Sequence, residues 1–192
     1  GLRDDKPVEA KVPRGWKLTH NPCSQIFRLT RKYRPFGGNT EEFHEVLARM
    51  EIKHPEETFR ADLGERIDPQ HLTFYYFITK PRSTSQGGME FMLTSIDDEL
   101  VVDAMTVHST PEEIENAKSG VYASVEKRRL RDGKYRGPSM NELDDEFLDE
   151  VLDHLDERGI NNAFAETVMS HANFIEQLEY EHWLTMLAKF GQ

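Results

Sequence analysis

Cysteine is almost missing from this chain of 192 residues. Cys23 stands alone, which excludes an intrachain disulfide and a cysteine metal cage and suits a thiol-reducing compartment. No run approaches the ~20 apolar residues of a membrane-spanning helix, and no Asn-x-Ser/Thr acceptor is present. Phosphate loop, dinucleotide fingerprint and nucleophile elbow are all missing. The chain begins at Gly1 and not at methionine, so a leader is expected upstream and any targeting signal lies outside these residues. Basic residues are scarce in one place only. Between Asn141 and Gln192 there are two, Arg158 and Lys189, against thirteen acidic ones, so this segment holds the whole formal charge of −11. The preceding 140 residues balance, 22 against 22. A concentrated anionic element on a neutral body attracts cationic partners and repels nucleic acid.

Apolar residues make up 37% of the chain and fall in periodic runs, enough for one core and one domain over 1–192. From about 16 to 110, short runs between turn residues predict an antiparallel meander. Its strands are Trp16 to His20, Gln25 to Tyr33, Phe43 to Lys53, His71 to Lys80, Met89 to Ser95 and Leu100 to His108. The third run also fits a helix through Phe43, Val46, Leu47 and Met50, and is read as a strand. Gly37-Gly38, Gly87-Gly88 and Asp97-Asp98-Glu99 read as turns.

A connecting segment, 111–138, holds a short helical turn from Pro111 to Lys118 and then a basic cluster: Lys127, Arg128, Arg129, Arg131, Lys134 and Arg136. These residues suit either nucleic-acid phosphates or a solvated loop that balances the acidic segment. Two acidic C-terminal helices are predicted over 139–190. Ser139 with Glu142 reads as a capping box opening the first, and Arg158-Gly159 as its end, about five turns later. On its wheel Leu143, Phe147, Leu148, Val151, Leu152 and Leu155 fill one half. Asp145, Glu146, Asp149, Glu150, Asp153, Asp156 and Glu157 fill the other. Asp153, Asp156 and Glu157 sit at the negative end of the helix dipole and cost it a few tenths of a kcal/mol or more each, so helix stability does not explain them. The second helix runs from Asn161 or Asn162 to about Phe190, with Phe164, Val168, Phe174, Ile175, Leu178, Trp183, Leu184 and Leu187 as core and subunit contacts.

Glu179-x-x-His182, Glu41-x-x-His44 and Glu51-x-x-His54 have the local spacing of di-iron ligands, but such a site needs four inward-facing helices and two are predicted here. No catalytic residue, metal ligand or cofactor site is expected. Cys23 beside Pro22 has no identifiable activating partner.

Several segments carry a resemblance. They are Tyr135-Arg136-Gly137-Pro138, Leu143-Asp144, Leu155-Asp156-Glu157-Arg158-Gly159-Ile160-Asn161, Phe164-Ala165, and Tyr180, Trp183-Leu184, Leu187 and Phe190. Gly15-Trp16-Lys17-Leu18 and Arg28-Leu29-Thr30-Arg31-Lys32 add a weaker match. Together they resemble the acidic mitochondrial-matrix proteins, or mitochondrial glycoprotein family. The resemblance implies an α+β fold, a twisted antiparallel sheet of about seven strands with C-terminal helices packed on it, assembled as a ring-shaped homotrimer. It also implies a non-enzymatic matrix adaptor or chaperone-like protein in mitochondrial RNA processing or editing, ribosome function and translation. One departure is that only Gly1 to Arg14, short and proline-interrupted, precede the Gly-Trp strand, where the family has a helix. The expected site is the acidic half of the first C-terminal helix, binding basic or RNA-associated proteins. The alternative is direct RNA binding through 127–136 and the basic strand Arg28 to Arg34.

Overall fold

A computed structural model describes residues 9–52, 70–82, 87–122, 135 and 137–192. Among them six strands form one antiparallel sheet in chain order: β1 (Lys17–His20), β2 (Ile26–Tyr33), β3 (Glu42–Arg49), β4 (His71–Thr79), β5 (Gly88–Ile96) and β6 (Glu99–His108). All six expected strands are present, against an expectation of about seven in the whole sheet. The β5–β6 connection is a two-residue hairpin, with Ile96 opposite Glu99 and both Asp97 and Asp98 at positive φ, 52° and 60°. That is the backbone whose twist suits tight hairpins, and aspartate tolerates it better than most residues. No calcium-loop geometry is involved.

Three helices follow: α1 (Pro111–Tyr122), α2 (Asp145–Glu157) and α3 (Asn162–Phe190). Side chains alternate across the sheet. Phe27, Leu29, Val46, Ala48, Phe74, Tyr76, Phe91 and Leu93 point to one face and form the main core with Val151, Leu155, Ile160, Phe164, Val168 and Ile175 of the last two helices and their corner. Leu47 and Phe77 point to the other face, where Ile114, Ala117 and Val121 of α1 cover them. β3 is therefore buried continuously from His44 to Ala48. The contact with α1 depends on Gly88, where an added Cβ would lie 2.5 Å from the Ile78 carbonyl oxygen and 3.0 Å from Ile114 Cδ1. Gly88 is thus a close-approach residue within β5 and not part of a turn. Gly88→Ala is expected to cost about 2 kcal/mol, read as a lowered midpoint of urea unfolding.

The start of α2 differs from expectation. Ser139 makes no side-chain cap bond and opens only a 3-10 turn, Met140–Glu142, because Met140 enters the core and Leu143 is extended. Asp144 is the cap instead, its Oδ1 accepting the Phe147 N–H at 2.8 Å. α2 is therefore shorter, at 13 residues, than the five turns expected. Its end is as expected: Gly159 has φ +71°, the Gly159 N–H reaches the Asp156 carbonyl at 2.8 Å and the Ile160 N–H reaches Leu155 at 2.9 Å. This Schellman closure turns the chain into Asn161, whose Oδ1 caps α3 through the Phe164 N–H at 3.1 Å. Only the first half of α3 packs on the sheet. Burial ends at Ile175, and Leu178, Trp183, Leu184 and Leu187 are exposed.

Candidate functional site

The seven carboxylates of α2 all face solvent. Helical spacing puts Asp145, Asp149, Leu152 and Asp156 in one row, and Glu146, Glu150, Asp153 and Glu157 in the next. Asp145/Asp149, Glu146/Glu150, Asp149/Asp153 and Asp153/Glu157 are like charges one turn apart, each destabilising the helix by roughly 0.2–0.5 kcal/mol. Among the described residues, the one basic group touching these carboxylates is Arg158, whose Nη1 is 3.4 Å from Glu157 Oε2. Asp156 also accepts from Asn161 Nδ2 at 3.3 Å. The face is repulsive toward itself and open to cations.

A buried polar network beneath its C-terminal end holds it in place. Arg158 Nε and Nη2 donate to the two oxygens of Glu42 at 3.0 and 2.9 Å, a two-pronged ion pair at the start of β3. His44 Nε2 donates to Glu42 at 2.8 Å, while His44 Nδ1 accepts from Tyr76 Oη at 2.9 Å and from Arg31 Nε at 3.1 Å. The Arg31 guanidinium stacks on Trp16, 4.4 Å to the ring centroid, and on Tyr33, 4.7 Å. Arg31 also donates to the Arg158 carbonyl, Tyr33 Oη donates to the Glu157 carbonyl at 3.0 Å, and Arg158 Nη1 donates to the His154 carbonyl at 3.1 Å. The open carbonyls at the end of α2 thus receive donors, and two guanidiniums offset its acids. This answers why acids persist at the wrong end of the dipole.

The network is consistent with a neutral imidazole. A carboxylate only accepts, so Nε2 carries the His44 hydrogen, and two donors facing Nδ1 leave no room for another. Burial, aided by the charges of Arg31 and Arg158, takes the His44 pKa down to about 4. Burial alone would raise Glu42, but hydrogen bonds from Arg158 and His44 and their charges take it down to about 2. Both groups are depressed in the folded chain, so the unfolded chain binds more protons as pH falls. Stability should be full above pH 6.5, decline from there to about 4 through His44, and decline again from 4.5 toward 2 through Glu42. The His44 contribution is on the order of 3 kcal/mol. Urea unfolding across this range checks it, and His44→Gln should flatten the upper part of the decline.

Lys127, Arg128, Arg129, Arg131, Lys134 and Arg136, the alternative RNA-binding set, lie outside the described residues. Of the basic strand proposed beside them, two residues are engaged within the chain: Arg28 pairs with Glu45, which Lys118 also meets at 2.8 Å, and Arg31 belongs to the network above, while Lys32 and Arg34 are exposed. His54 is also outside the described residues. Glu179 receives the Cys23 N–H, while His44 is sequestered with Glu42 and Tyr76. Among the described residues no three His, Cys, Asp or Glu side chains converge as metal ligands. No described helix is long and apolar enough to cross a membrane.

The sequence matches the mitochondrial glycoprotein family over residues 4–191. The chain belongs to the mitochondrial glycoprotein family. The segments that carry the resemblance have structural duties here: Leu155 and Ile160 fill the core, Arg158 anchors, Gly159 turns the corner and Asn161 caps. Two solved structures share the fold of this family member. One is a hypothetical protein from Leishmania major of unknown function, a sequence homologue of the human p32 protein, with TM-score 0.73 and 23% identity, covering 100% of this chain and 91% of its own. The other is the Trypanosoma brucei p22 protein, with TM-score 0.74 and 18% identity, covering 99% and 89%. The mitochondrial glycoprotein family is a mitochondrial, protein-binding and generally non-catalytic one.

Proposed function

We propose that this family member is a non-enzymatic adaptor or chaperone-like protein of the mitochondrial matrix that binds basic segments of proteins through the acidic face of α2. The observation that carries the reading is the seven exposed carboxylates, in two rows on a helix tied to the sheet by the Arg158–Glu42 pair. A face that repels itself gains free energy when a cationic segment covers it, and such segments abound in RNA-associated proteins. Mitochondrial RNA processing or editing, ribosome function and translation are the settings in which those partners occur.

The working form is a homotrimer. Support comes from the free half of α3, where Trp183 and Leu187 are each 52% exposed and Phe190 is 91% exposed, an apolar surface of the kind subunit contacts cover. Light scattering should return three times 22.3 kDa, and a monomer would contradict this part of the proposal. The same instrument, with an arginine-rich peptide added, tests the adaptor reading. Binding should weaken steeply as salt rises, because exposed charges are screened beyond about 8 Å at physiological ionic strength. Salt-indifferent binding, or none at low salt, would sink it.

A further inference from the structure

Two exposed apolar side chains border the acidic face. Phe147 is 39% and Leu152 45% exposed, although both belong to the half of the helix expected to turn inward. Leu152 lies three residues after Asp149 and four before Asp156, with neighbouring Cβ atoms in such a row roughly 5–6 Å apart. Beside it opens a groove of about 360 Å3 lined by Leu100, Leu152, Asp156, Ile160, Asn161, Asn162 and Ala163. Its walls are fixed. Asn162 Oδ1 accepts the Leu100 N–H at 2.9 Å and ties the start of β6 to the start of α3, while the Schellman bond from Ile160 holds the corner. Leu100, Leu152, Ile160 and Ala163 give it an apolar part, and the adjoining helix face is anionic.

We infer that this groove is an anchor pocket for a cationic amphipathic protein segment. One apolar side chain of the segment enters against Leu100, Leu152 and Ala163, while Lys or Arg residues about one helical turn to either side meet Asp149 and Asp156. Charge complementarity selects this occupant: the carboxylates repel acidic or phosphate-bearing ligands, and a purely basic segment would leave Leu152 in water. The inference rests on the acidic-face reading of α2 and adds a sequence requirement in the partner.

Fluorescence anisotropy with two labelled peptides of equal length and charge tests it, one alternating arginine with serine and one carrying leucines on one face of a basic helix. The full chain should bind the amphipathic peptide about tenfold tighter at physiological salt. Leu152→Ser, whose fold is checked by circular dichroism, should abolish that preference and leave the arginine–serine peptide unaffected. Equal binding of both peptides by the unaltered chain would overturn the anchor pocket and leave the acidic adaptor standing. So would a preference that survives Leu152→Ser. If neither peptide binds, the adaptor reading falls with it.

Discussion

Arg158→Ala is expected to destabilise the chain by about 3–5 kcal/mol, the usual cost of stranding one partner of a buried ion pair. Glu42 is 2% exposed, and losing the Arg158 fork would leave its carboxylate with His44 as its remaining hydrogen-bond donor among the described residues. The loss extends beyond the pair, because Arg158 also closes the His154 carbonyl and stands beside the acids at the end of α2. Arg158→Lys keeps the charge and loses the fork, so it should fall between alanine and the unaltered chain. Combining Arg158→Met with Glu42→Leu removes both charges and should recover much of the alanine loss. Urea denaturation of the four chains checks the series. A loss below about 1 kcal/mol for Arg158→Ala would mean that the network does not hold α2.

The second large effect concerns binding. Replacing Asp149, Asp153 and Asp156 together by lysine should weaken an arginine-rich peptide about a hundredfold or more at low salt, since each change turns an attraction into a repulsion. The same variant should fold at least as well as the unaltered chain. It turns the like-charge contacts Asp145/Asp149 and Asp153/Glu157 into attractive ones and places cations toward the negative end of the helix dipole. Lost binding with an unchanged or raised melting temperature is a combination that damage to the fold cannot produce. Retained binding would refer the charge to solubility alone.

Much of this architecture is legible in the residues. Strand positions follow from apolar runs between turns, and the exposure of the α2 carboxylates follows from the cost of burying charge. Where the pattern is ambiguous, packing is the reason. β3 has a partly helical pattern because α1 covers Leu47 on one face while the C-terminal helices cover Val46 and Ala48 on the other, which erases the two-residue alternation. Ser139 and Glu142 have the spacing of a cap, yet burial of Met140 shifts the helix start to Asp145. The anchor has no local signal in the sequence. Glu42 and His44 stand two apart on a strand, a spacing that puts both on one face, but their partner Arg158 is 116 residues from Glu42, and no local spacing encodes that contact.

Zero-length carbodiimide cross-linking of a lysine-rich peptide to the intact chain, mapped by mass spectrometry, tests the central claim most directly, because it reports which carboxylates touch the cation. The account predicts cross-links concentrated on Asp145 to Glu157 and lost at high salt. Cross-links confined to carboxylates elsewhere, with α2 untouched, would contradict it.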